Sequence, residues 1–148
     1  MNILFVCTGN TCRSPLAESL ARRIAERRGI TDMKISSAGT SAWDNAPASD
    51  GALLVGMERQ LDLAAHRARK LTPAIVSEAD LIFAMAPSHL EQVRQMGGRG
   101  KVHLLDQYAS GGESEGIADP FGGELSGYRD TADALERHLE KLFDRLEI

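Results

Sequence analysis

The chain changes its hydrophobic period several times. Residues 2–7, NILFVC, are an almost unbroken apolar run, as a strand buried on both faces requires. From Pro15 to about Arg28 the period becomes helical: Leu16, Leu20 and Ile24 recur at four-residue steps, with Ala17, Ala21 and Ala25 beside them. Ser14 reads as the N-cap, Pro15 suits the first turn and Gly29 the stop. MKISSAG (33–39) predicts a second strand, and a polar loop through Trp43 and Pro47 leads to a helix over about 49–61. A short helix is expected in LTPAIVSEA, then a third buried strand over 80–86, a helix over 87–98 closed by glycines, and a fourth strand over 101–105. The segment 106–124 reads as one long loop. The last helix runs from about Ser126 to Leu146, with Tyr128, Leu135, Leu139, Leu142 and Leu146 on one stripe.

Strands that alternate with helices predict an α/β fold: a doubly wound parallel sheet with helices on both faces. No repeat, linker or low-complexity segment interrupts the 148 residues, so a single domain over 1–148 is expected. The formal net charge of −4 argues against a general nucleic-acid or membrane-surface binder. No apolar run approaches the roughly 18 residues of a membrane span, and the chain starts directly as a strand, so a cytoplasmic protein is expected. Its two cysteines, Cys7 and Cys12, lack the partners of a zinc site or a disulfide framework.

In a doubly wound sheet, ligands bind beyond the carboxyl ends of the strands. CTGNTCRS, residues 7–14, lies in the first such loop and runs into a helix N-terminus, whose unpaired N–H groups attract anions. Gly9 and Asn10 tolerate the positive φ of a loop with its amides turned inward. Arg13 offers paired donors to a phosphate-like group. A thiol at Cys7 beside those amides and Arg13 is expected to have its pKa lowered, into the range of about 3.5 to 7.5, with Ser14 donating to the thiolate. A buried apolar cysteine is the bland alternative. A nucleotide loop would need G-x-x-x-x-G-K-[ST], and the lysine is absent.

A thiolate attacking phosphorus needs an acid to protonate the leaving group. IADPFGGE, in the loop after the fourth strand, emerges on the same sheet edge as Cys7 and supplies Asp119, with Pro120 stiffening its approach.

Together, VCTGNTCRSPLAE and DPFGG resemble the low-molecular-weight protein tyrosine phosphatases, as do SSAGTSAW (36–43) and HRARKLT (66–72), and the similarity spans the full chain. The resemblance implies four parallel strands in the order 2-1-3-4 and a phosphocysteine intermediate without metal or cofactor. It makes Cys7 the nucleophile, Arg13 the phosphate binder, Asp119 the acid and then the base, and Ser14 the thiolate stabiliser. Asn10, Ser37 and His66 would support the phosphate-binding loop, which comprises Thr8, Gly9, Asn10, Thr11, Cys12, Arg13 and Ser14. Cys12 would be the redox partner that traps an oxidised Cys7. The implied partners are phosphorylated protein substrates, and a monomer is expected.

Thr11, with a single Phe121 before Gly122, resembles the protein-arginine phosphatases of this family, and a polar wall suits a guanidinium. Trp43 points to an aromatic wall for phosphotyrosine. Both substrates stay open, with Thr11 leaning toward arginine. The rivals are an arsenate reductase on the same fold, which needs further cysteines, and a non-catalytic phosphate-binding module, which needs neither Asp119 nor a thiolate.

Overall fold

The run at 2–7 is the inner strand β1 (Asn2–Cys7), and its alternation sorts the core into two layers. Ile3 and Phe5 face one side with Cys7, whereas Leu4 and Val6 face the other. The computed structural model describes residues 1–112 and 116–146. Strands β2 (Lys34–Gly39), β3 (Leu81–Ala84) and β4 (Val102–Leu104) complete a sheet ordered β2-β1-β3-β4, parallel throughout. The order agrees with the one the family resemblance implies. The chain winds outward in opposite directions from β1, which opens a crevice at its carboxyl end.

Six α-helices cover the sheet among the described residues: α1 (Arg13–Arg27), α2 (Asp50–Glu58), α3 (Pro73–Glu78), α4 (Pro87–Val93), α5 (Leu105–Ser110) and α6 (Leu125–Arg145). α6 packs on α1, α2 and α5, and its buried stripe of Leu135, Leu139, Leu142 and Phe143 joins Leu16 and Leu20 of α1 in the larger core. The smaller core, on the opposite face, holds Leu71, Val76 and Val93 against Leu4, Val6 and Ile82. Truncating any fully buried leucine here to alanine would cost about 2–5 kcal/mol. No helix among the described residues is long and apolar enough to cross a membrane.

Four expectations need correction. The N-cap of α1 is Cys12, without a side-chain capping bond, and Ser14 lies inside the first turn because its hydroxyl is used elsewhere. The helix expected over 49–61 stops at Glu58, because Gln60 turns left-handed at φ 62° and Leu61 N–H returns to the Gly56 carbonyl. The loop expected over 106–124 begins as helix α5, whose six residues are too few to show a period. The helix expected over 87–98 is likewise α4 followed by a π-turn at Arg94–Gly98, with Gly97 at φ 98°.

Candidate active site

The loop from Cys7 to Ser14 is shaped by polar groups that the core leaves no room to move. Gly39 pairs with Cys7 in the sheet, and a Cβ there would stand 2.5 Å from the Thr8 carbonyl oxygen. Thr40 and Ser41 N–H groups donate to the carbonyls of Cys7 and Thr8 at 2.9 Å each. Asn10, wholly buried, takes the left-handed conformation at φ 57°. Its Nδ2 donates to Ser14 Oγ (2.8 Å) and Ser37 Oγ (2.9 Å), and its Oδ1 accepts from Arg69 N–H (3.0 Å). His66 Nε2 lies 2.7 Å from the Asn10 carbonyl oxygen. The structure thus brings Asn10, Ser37 and His66 together. It adds Glu18, whose Oε1 accepts from Ser37 Oγ at 2.7 Å.

Because Ser14 Oγ accepts from Asn10, its own proton is free to go to Cys7 Sγ, 2.9 Å away. The direction of the Cys7 pKa differs from the one the loop composition predicts. Burial pushes the thiol up; the Ser14 hydroxyl, the Ser14 N–H, the Arg13 charge and the Asn10 N–H pull it down and offset only part of that rise. The sulfur belongs to a residue that is 2% exposed, so the cost of desolvating a charge dominates.

Arg13 is equally buried, and it joins two loops. Its Nη1 donates to the Ile117 carbonyl (3.0 Å), and its Nη2 lies 3.4 Å from both Thr8 Oγ1 and Asp119 Oδ2. Asp119 itself is half exposed, and its Oδ1 accepts from Phe121 N–H at 3.0 Å. A cup of about 330 Å³ opens here. Cys7, Thr8, Gly9, Thr11, Cys12 and Arg13 form its base and one wall; Trp43, Ala46, Asp119 and Phe121 form the other side. Trp43 and Phe121 are 84% and 70% exposed, so they rim the cup and contribute little to the core.

Cys12 is a free thiol, buried in the wall of the cup. Its Sγ contacts Ser49 Oγ (3.1 Å) and the Tyr128 hydroxyl (3.6 Å). The stripe pattern of the last helix does not signal this contact of Tyr128; Gly51 makes room for its ring, since a Cβ there would stand 2.3 Å from it. His89, unmarked by any motif, has Nε2 2.8 Å from Thr8 Oγ1. The available signal was topological: His89 follows β3 on the carboxyl edge that carries the cup.

A buried thiol, a guanidinium and a carboxylate meeting at a helix N-terminus on a doubly wound sheet define a phosphoryl-transfer class of site. The profile of the family described as low molecular weight phosphotyrosine protein phosphatase matches residues 2–148. The chain belongs to that family. It is 40% identical to a protein-arginine-phosphatase of Bacillus subtilis, over 99% of this chain and 97% of that one. Against the low molecular weight protein-tyrosine-phosphatase PtpB of Staphylococcus haemolyticus it is 38% identical, over 96% and 97% of the two chains. A solved structure of the arginine phosphatase YwlE, a C7S mutant with a phosphorylated active-site serine, superposes with a TM-score of 0.92 at 40% identity, over 99% of this chain and 96% of that one.

Proposed function

We infer that this chain is a cysteine-dependent protein phosphatase with a preference for phosphoarginine. The observation that carries the reading is Arg13, which touches the acid loop at Ile117 and Asp119 while sharing a cup with Cys7. In the proposed reaction the ionised form of Cys7, whose charge the Ser14 hydroxyl, Arg13 and the loop N–H groups stabilise against burial, attacks phosphorus, and the bond from phosphorus to the side-chain nitrogen or oxygen breaks. The leaving atom keeps the electron pair and takes a proton from the Asp119 carboxyl, which contributes on the order of 10²–10⁴ in rate. Asp119 then removes a proton from water as it attacks the phosphocysteine, releasing inorganic phosphate and regenerating the thiolate. Arg13 and the loop amides neutralise charge on the phosphoryl oxygens. The reading takes the protein to act as a monomer in the cytoplasm, on phosphorylated protein side chains.

The preference rests on Thr11, a polar residue of the cup wall that suits a guanidinium, and on the likeness to the protein-arginine-phosphatase of Bacillus subtilis. The exposed rings of Trp43 and Phe121 favour a second reading, phosphotyrosine. The deciding measurement is kcat/KM on matched phosphoarginine and phosphotyrosine peptides. Thr11→Ile is expected to move the ratio about tenfold toward phosphotyrosine, the scale of one or two lost polar contacts. An unchanged ratio would reject the role given to Thr11.

A further inference from the structure

His89 sits in the first turn of α4, 2% exposed, where neither family segment nor motif assigns it work. Its Nε2 is 2.8 Å from Thr8 Oγ1, and its Nδ1 is buried with no hydrogen-bond partner among the described residues. Burial and then the Arg13 charge, opposed by Asp119, push the His89 pKa down to about 4, so the ring is neutral at pH 7. A neutral imidazole carries one N–H. Orphaned buried N–H groups are rarer than unfilled acceptors, so the proton belongs on Nε2 and is donated to Thr8. Arg13 Nη2, which has only protons to give, also approaches Thr8 Oγ1, at 3.4 Å. With both lone pairs engaged, the Thr8 hydroxyl must donate its own proton elsewhere. Thr8 is exposed and lines the cup.

We propose that His89 is a positioning residue: by donating to Thr8 it turns the Thr8 hydroxyl into a hydrogen-bond donor for the phosphoryl group bound beside Cys7. The inference rests on the phosphatase reading of the cup. It makes the start of α4, just after β3, a further contributor to the site, alongside the loops after β1, β2 and β4. It also explains why an imidazole is kept neutral next to a guanidinium: a charged ring would repel Arg13 at the place where Arg13 is needed.

The test is the affinity for inorganic phosphate, measured by calorimetry at pH 7, with para-nitrophenyl phosphate turnover followed in parallel. The proteins are the wild type, Thr8→Val, His89→Phe, the double variant and His89→Gln. Thr8→Val is expected to weaken phosphate about three- to tenfold, the worth of one neutral hydrogen bond. His89→Phe should weaken it by a similar factor and add nothing in the Thr8→Val background. His89→Gln, whose amide can donate in place of Nε2–H, should recover part of the loss. Wild-type phosphate affinity in Thr8→Val overturns the proposal, and this exposed substitution serves even where His89→Phe does not fold. Losses that multiply in the double variant overturn it as well, because His89 would then act by another route. A wild-type protein that binds phosphate yet turns over no phosphoester would instead count against the phosphatase reading.

Discussion

The two loops that meet in the cup are held in opposite ways. The phosphate loop, 7–14, is built into the core: Asn10, Ser14, Arg13 and both cysteines are buried, and Asn10 alone is tied to Ser14, Ser37, Arg69 and His66. The acid loop, 117–123, lies over it with Asp119 half exposed and Phe121 mostly so. Its ties to the rest of the molecule include the Arg13 bond to Ile117, the Arg13–Asp119 pair, the Ile117 N–H to Met85, the Thr131 hydroxyl to Ala118 and the Gly122 N–H to the Tyr128 hydroxyl. The difference matches two demands of phosphoryl transfer. Donors aimed at developing charge work best when they need not move, whereas a group that must first give and then take a proton at different atoms needs freedom.

That contrast makes substitutions in the two loops fail differently. Asp119→Ala is expected to lower kcat/KM on phosphopeptides by about 10²–10⁴ while the melting temperature hardly changes, because the carboxylate lost is half exposed and outside the core. Asn10→Ala removes a buried side chain whose loss leaves the Arg69 N–H without its acceptor, and it forces alanine into a left-handed backbone. About 3 kcal/mol of stability should go with it, a fall in melting temperature of roughly 6–12 °C, and activity should fall in step. A melting temperature for Asp119→Ala as low as that for Asn10→Ala would erase the distinction between a buried cradle and a half-exposed acid.

The same contrast decides what the residues disclose in sequence. The sheet was legible because β1 and β3 are buried on both faces and read as apolar runs, and α6 because its stripe is long. Helix α5 was not, since it follows β4 directly and Leu104 offers no capping side chain. Within the site, the Cys7-to-Ser14 spacing and the Asp-Pro turn carry strong local signals. Ser14 reads as a cap because a serine before a proline looks the same whether its hydroxyl caps an amide or meets a sulfur. The direction of the Cys7 pKa was missed for a related reason: donors are visible as residue types, but the desolvation that opposes them exists only once the core closes. His89, Glu18 and Tyr128 are ordinary helix residues until the fold brings them to the loop and its neighbours.

Ser14→Ala should produce a smaller effect than either substitution above, and one whose sign is fixed. The Ser14 hydroxyl stabilises the charged form of the sulfur, and so lowers a pKa that burial raises. Removing it therefore moves the Cys7 pKa further up, and the ionised fraction at a given pH falls. A hydrogen bond to a charged group is worth about 1.5–3 kcal/mol, which corresponds to a rise of roughly one to two pH units. The rate of Cys7 alkylation by iodoacetate, followed against pH with Cys12 replaced by serine in both proteins, should show its inflection displaced by that amount. kcat/KM should fall about ten- to a hundredfold below the wild-type inflection, and the two proteins should converge at high pH, where both sulfurs are ionised. An inflection that stays in place would mean that Ser14 serves only to support Asn10. The chemistry of Cys7 would then depend on Arg13 and the loop amides alone.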